Sequence, residues 1–403
     1  MTSPASSARM SPLELRASLS LASLFALRML GLFLILPVFA VHALTLPGGE
    51  DRTWVGIALG SYGLTQGLLQ LPYGMASDRY GRKRVIVIGL LLFALGSFVA
   101  AWGPNIAVVI LGRALQGAGA ISAPVTAFAA DITRAEHRTK AMALIGGSIG
   151  LMFAVSLVAA PVLYPLIGMG GIFGMTGLLA LAAIWVTLAV VPAEPAATGA
   201  RRLLRGALRE ILRNREQLRL NFGIFSLHVV QMAIFVVVPT ALVRYGNLPV
   251  SGHWKVYLPV VLGSFALMAP LLLHAERTGR MKFLFLAAIG LLLAVEAGLA
   301  VCLDTFPFLV ALLLFFFVAF NVLEACLPSL VSRVAPASAR GTALGVYNTT
   351  QALGLFAGGT AGGWLAQHLG ESSVFVFGFA VVALWLLVAS SMRVPVDAAE
   401  GVS

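Results

Sequence analysis

The sequence predicts an all-α membrane protein of twelve spans, folded as two pseudo-symmetric six-helix bundles. Three observations predict it. Hydrophobic residues make up 59% of the 403 and charged residues 11%, with a mean hydropathy of +0.95; a soluble domain carries about 25% charge. The apolar residues gather in stretches of about 20, the length that crosses a bilayer. A short basic turn, Asp78-Arg79-Tyr80-Gly81-Arg82-Lys83-Arg84, returns half a chain later as Glu276-Arg277-Thr278-Gly279-Arg280-Met281-Lys282, each copy between two apolar stretches.

The spans follow in order as 19–43, 54–76, 85–102, 106–130, 141–165 and 171–192, then 219–243, 254–274, 283–303, 306–331, 342–367 and 373–392. Residues 1–18 carry Ser and Arg, as a cleaved leader does. The stretch after them is longer than a leader's apolar core and holds Arg28 in its middle, so it reads as a retained first span. Most connections are short. The long one, the linker at 193–218, follows Pro192, carries Glu194 and Pro195 and becomes RRLLRGALREILRNREQLR, which ends on Arg219. There Leu203, Leu204, Leu208, Ile211 and Leu212 share one helix face against arginines. This predicts an amphipathic helix on the anionic leaflet, joining a bundle at 1–192 to one at 219–403. The halves align beyond the turns: Trp54 with Trp254, Leu24-Phe25-Ala26-Leu27-Arg28 with Ile224-Phe225-Ser226-Leu227-His228, Ile88-Gly89-Leu90 with Ile289-Gly290-Leu291, and Arg138-Thr139-Lys140-Ala141 with Arg340-Gly341-Thr342-Ala343.

Net charge is +11, and its placement argues for a membrane rather than for nucleic acid. Of 27 Lys and Arg, Arg52, Arg244 and Lys255 fall on one side and Arg28 and Arg113 inside spans; the remaining 22 share the other side. The positive-inside rule then makes both termini cytoplasmic. Cys302 and Cys326 lack partners for a disulfide or a metal site and read as packing residues. The sequence contains no phosphate-binding G-x-x-x-x-G-K-[ST], no His/Cys metal spacing and no G-x-S-x-G nucleophile motif. It reads as no enzyme, with no cofactor and no metal.

Gly74-x-x-x-Asp78-Arg79-x-Gly81-Arg82-Lys83-Arg84 resembles the signature between spans 2 and 3 of the major facilitator superfamily. Arg113-x-x-Gln116-Gly117 is similar to a second signature, found in its proton-driven members. LRMLGLFLILPV (27–38), LGRALQGAGAI (111–121), DITRAEHRTKAMA (131–143) and NVLEACLPSL (321–330) resemble, more narrowly, the YajR-type efflux transporters. Two departures stand out. Some YajR-type proteins carry a soluble domain after the last span, where about ten residues follow here. The antiporter signature of span 5 has Gly-Pro followed by glycines, whereas this chain has Gly146, Gly147 and Gly150, then Ala160-Pro161-Val162-Leu163.

The resemblance implies a secondary transporter in a bacterial inner membrane, a monomer in the lipid bilayer, exporting an amphipathic small molecule in exchange for protons as the coupling ion. Uptake of a small metabolite, or a non-transporting sensor on the same fold, are the alternatives. It also implies that Asp78 docks at the start of span 11, near Gly341 and Thr342, and that Arg82 pairs with Asp131. With Gly74, Arg79 and Gly81 these form a conformational latch. The chemistry of Asp78 agrees, since an acid at a helix C-terminus meets the negative end of the dipole and needs a partner.

Ionisable groups inside spans cost about 3 kcal/mol or more and are functional candidates by default. Arg28, Arg113, His228 and Glu324 lie in spans 1, 4, 7 and 10, which line the central cavity in the superfamily. Proton coupling needs a group that changes charge near neutral pH, which Arg does not do. Glu324 therefore leads, with His228 second; Glu296, in a peripheral span, reads as structural. Tyr62, Gln66, Gln70, Gln116, Gln231, Met232 and Asn321 are the expected solute contacts, with Phe25, Phe33, Phe225 and Phe235 as aromatic surface.

Overall fold

The computed structural model describes residues 10–134, 137–194, 203–336 and 340–392, without the side chains of 139 and 203–207. Leu203 and Leu204 of the expected amphipathic face therefore lie outside the described side chains. Among the described residues fourteen α-helices run in order: α1 (Pro12–Phe33), α2 (Leu36–Ala43), α3 (Arg52–Tyr80), α4 (Arg82–Ala101), α5 (Ile106–Ala118), α6 (Ser122–Ile132), α7 (Arg138–Ala189), α8 (Leu203–Arg213), α9 (Arg215–Gly246), α10 (Trp254–Arg277), α11 (Met281–Cys302), α12 (Phe306–Val334), α13 (Arg340–His368) and α14 (Glu371–Ser390).

Side chains set several helix starts. Ser11 and Glu14 form a reciprocal capping box at α1 with Pro12 behind it, and Asp51, Asn105 and Asn214 accept from first-turn amides of α3, α5 and α9. Two expected spans are broken by proline. Pro37 cannot donate to the carbonyl of Phe33, where α1 ends, and Pro124 cannot donate to Ala120, in the gap between α5 and α6. Spans 5 and 6 instead form one assigned helix, α7, interrupted at Gly168 (φ 64°), a backbone that glycine adopts readily. The chain doubles back there. Ser156 Oγ donates to Leu30, and Thr176 packs on Gly31, so two points twenty residues apart meet adjacent residues of α1.

Nine described stretches are long and apolar enough to cross a membrane. One of them holds the α7 reversal and so contains two spans, while α3 and α13, richer in Gly and polar residues, add two more. Twelve rods in two bundles result.

The two bundles meet closely at only one end. There α3 and α13 touch backbone to backbone: a Cβ on Gly56 would strike the Gly359 carbonyl, one on Gly60 would lie 2.9 Å from Phe356 Cα, and one on Gly63 would strike the Ala352 carbonyl. Small residues allow this approach between membrane helices. By Gly67 the nearest neighbour is a leucine side chain at 3.2 Å, and Gly74 faces only Ala123 of its own half. At the other end Gly341 and Gly345 have open space where a Cβ would be.

The core repeats this division. Residues 34–59 and 153–173 of the first half contribute to one continuous core with the second half. Leu21, Phe93, Phe128, Ile145 and Ala183 form a separate core of the first half alone. The molecule is a V, closed at the face away from residues 10 and 392 (the far face) and open at the face carrying the basic turns (the basic face).

The linker helix α8 departs from the expectation of a helix spread on lipid. Ile211 is fully buried and Leu208 packs on the second-half core, so α8 turns apolar side chains toward protein; Leu212 remains exposed.

Candidate functional site

In the second half, α9, α12 and α13 bring three polar side chains together just on the basic side of mid-molecule. The His228 Nδ1 lies 3.1 Å from the Ile224 carbonyl one turn back. This fixes the neutral ring with Nδ1–H as donor and Nε2 as acceptor. The Gln351 amide nitrogen donates to that Nε2 at 2.7 Å and to Glu324 Oε1 at 3.4 Å. Glu324 Oε2 stands 4.0 Å from His228 Nε2 and accepts no hydrogen bond. The Glu324 side chain is 35% exposed, although its Oε2 is buried, and that of His228 is only 6% exposed, so the glutamate reaches the cleft and the imidazole lies behind it.

A roof of phenylalanines closes the cleft toward the far face, one turn from Glu324. Phe153 of the first half lies with ring centroids 5.0 Å from Phe33, 6.3 Å from Phe235, 6.0 Å from Phe317 and 5.8 Å from Phe320. Phe320 also meets the His228 ring edge-on at 5.9 Å. These edge and tilted geometries suit the aromatic quadrupole. Half-buried Asn321 donates to Ser264 of α10 at 3.0 Å.

The first half holds the opposite charge. Arg28 and Arg113 are both buried beside Tyr62, with guanidinium carbons 5.6 and 5.0 Å from its ring centroid. Arg28 donates to Ser122 Oγ at 2.9 Å and to the Tyr62 hydroxyl, and Arg113 to Gln116 Oε1 at 2.8 Å; the Gln116 amide in turn donates to Ser97 Oγ at 2.8 Å. Neutral groups and aromatic faces, not carboxylates, surround both cations, and Arg28 Nε is buried without a hydrogen-bond partner.

Several expected cavity residues are thus placed elsewhere. Arg28, Arg113, Tyr62 and Gln116 form a closed network inside the first bundle and do not line the cleft. Gln66, Gln70, Gln231 and Met232 are also buried, Met232 beside Gly359 and Gln70 with both amide atoms unpartnered. Sequence position gives a residue's depth along a helix but not which side of the bundle it faces.

At the basic face Arg82 pairs with Asp78 at 2.5 Å and with Asp131 at 3.0 Å, and donates to Ser77 Oγ at 2.6 Å. Arg79 lies over the Tyr80 ring. Glu194 accepts from the backbone N–H of Arg82 and Lys83 at 2.9 and 2.5 Å, against Gly81 (φ 97°), where a Cβ would crowd its carboxylate. The α4 N-terminus favours this anion. Asp78 does not reach Gly341 or Thr342: α3 and α13 have diverged at this end, and its charge is answered within its own half. The second turn, with Gly279 at φ 68°, carries no ion pair through Glu276, Arg277, Arg280 or Lys282 among the described residues.

Neither uncharged Gln351 nor Glu194, which lies outside the spans, stands out among the ionisable groups of the apolar stretches. The polar run Asn348-Thr349-Thr350-Gln351 within an apolar span was the available signal for Gln351.

A sequence model of the Major Facilitator Superfamily matches residues 21–359 and, in an overlapping second match, 275–401. The chain belongs to that superfamily. It is 43% identical to the inner membrane transport protein YajR of Escherichia coli K12, over 96% of this chain and 85% of the relative. It is 25% identical to the multidrug resistance protein MdtH of Aeromonas hydrophila, over 84% of this chain and 85% of the relative. Among solved structures, a D-xylose-proton symporter superimposes with a TM-score of 0.72 at 18% identity, covering 94% of this chain and 98% of that one. The superfamily fold has twelve transmembrane helices in two bundles, as found here, and the protein is a multi-pass membrane transporter.

Proposed function

We propose that the protein exports amphipathic or hydrophobic small molecules in exchange for protons, with the basic face toward the cytoplasm, by rocking its two halves about the cleft. Glu324 carries the reading. It is a partly exposed side chain beneath an aromatic roof built from both halves, with a buried Oε2 that accepts no hydrogen bond and an imidazole 4.0 Å away. A carboxylate can hold either a proton or a solute, and a surface of phenylalanines suits an amphipathic body better than a sugar or phosphate. The positive-inside charge pattern supports the orientation. The name of the MdtH relative supports outward transport. No cofactor is required, the solute and the bilayer are the partners, and a monomer suffices. The basic turn acts as a latch whose Asp78 engages α13 when the basic face closes.

The experiment uses purified protein in liposomes under an imposed pH gradient. Addition of an amphipathic dye should dissipate the gradient in wild type, and Glu324→Gln should abolish that while still binding the dye. Absence of proton movement with every dye, together with solute uptake down its own gradient, would favour facilitated uptake of a metabolite.

A further inference from the structure

The clasp at the far face is built around one carboxylate placed between two arginines that belong to different halves. Glu371 opens α14 in the second half, after Gly370 turns the chain (φ 87°). Its Oε1 meets Arg52 Nη1 at 2.7 Å, across the division between halves, and Arg244 Nη1 at 3.9 Å in its own half. Its Oε2 accepts from the Tyr245 hydroxyl at 3.4 Å. Beside the pair, the Arg52 backbone N–H donates to Gln367 Oε1 at 2.9 Å. The Glu371 side chain is 10% exposed, Arg52 29% and Arg244 67%, so the closed state favours Arg52 as the principal partner.

We infer that Glu371 is handed from Arg52 to Arg244 when the far face opens. The halves separate between α3 and α13, and Arg52 leaves with α3. Arg244 and Tyr245 sit at the end of α9, in the same half as Glu371, and stay. A cavity of about 440 Å³ lined by Arg52, Arg244, Tyr245, Asp304 and Glu371 gives the Arg244 side chain room to close its longer contact. A sheltered carboxylate stripped of its cation is costly; the exchange means it is never left unpaired. The clasp therefore opens by substitution, and the two arginines bias the transporter in opposite directions. This rests on the rocking motion alone and not on proton coupling.

The test places spin labels at Leu44 and Thr305, on far-face loops of the two halves, with Cys302 and Cys326 replaced by alanine. Distances are measured by double electron–electron resonance on the full chain in nanodiscs. All variants carry Gln367→Ala, which loosens the face by other means and brings both states into range. Arg52→Ala should raise the ratio of far-open to far-closed molecules by roughly three- to tenfold, and Arg244→Ala should lower it by a similar factor. Arg52→Lys, which keeps the charge, should stay within about twofold of its parent. Arg52→Gln replaces Arg52→Ala if the latter fails to assemble. Both arginine variants shifting the ratio the same way, or Arg244→Ala leaving it unmoved, would overturn the exchange. Because the readout is distance and needs no solute or proton gradient, a failed antiport assay leaves it standing.

Discussion

The two bundles bury opposite kinds of charge, and they bury them differently. The first encloses Arg28 and Arg113 around Tyr62, out of reach of the cleft, with hydroxyl, amide, carbonyl and aromatic partners. The second presents Glu324 to the cleft, with His228 and Gln351 behind it. A guanidinium keeps its proton, whereas a carboxylate and an imidazole exchange theirs. The first network is thus a fixed-charge scaffold and the second a site able to change state, although the sequence pairs Arg28 with His228 at equivalent positions of the duplicated halves.

Exchanging the roles of the two networks should break this comparison. Glu324→Gln should reduce proton-coupled flux at least tenfold while leaving thermal stability near wild type, since an amide keeps the shape and the Gln351 contact. Arg113→Ala should do the reverse. It leaves Gln116 Oε1 without its donor and removes the cation from the Tyr62 face, at about 2–4 kcal/mol. The melting temperature should fall, and the pH dependence of flux by the surviving protein should keep its shape. A melting temperature near wild type with an altered pH profile would move Arg113 into the proton site.

Gly56→Val sharpens the comparison at the boundary between the bundles. A side chain there meets the Gly359 carbonyl and Gly363 Cα, so the far face should close poorly, at about 1–3 kcal/mol. Far-face cysteines should then label faster with a membrane-impermeant maleimide. Gln351→Leu should cost about 1–2 kcal/mol and shift the pH dependence of flux without abolishing it. The smallest effect belongs to the basic face, where Arg82→Ala removes partly exposed ion pairs at about 1 kcal/mol or less. It should cost more than Lys83→Ala, whose side chain donates to the Val191 carbonyl at 2.6 Å and makes no ion pair among the described residues; denaturation midpoints would rank the two.

The fold was largely legible because it rests on hydrophobic length and charge placement. Most span boundaries fall within a few residues of the helices, the exception being the first, whose helix starts at Pro12 rather than at 19, and the repeated turn announces the duplication. Local chemistry also marked places that a span count passes over: Pro37 and Pro124 sit where the first and fourth spans break, and Gly168 sits where α7 reverses. The site was less legible. Depth in the membrane picked out Arg28, Arg113, His228 and Glu324, but depth does not give the direction a side chain faces, and two of the four point into their own bundle. Uncharged Gln351 gave no ionisation signal although it joins His228 to Glu324. The expected Asp78 contact with α13 is not formed in this structure, where the basic face is open and Arg82 answers the charge of Asp78.

The most direct test of the division between scaffold and exchange site is a proton count. Purified protein in weakly buffered solution is mixed with an amphipathic solute, and pH-indicator absorbance records proton release. About one proton per molecule should leave wild type and the Arg28→Lys variant, and none should leave Glu324→Gln. Wild-type release from Glu324→Gln, with solute still bound, would contradict the assignment of the exchangeable proton to the second bundle's carboxylate.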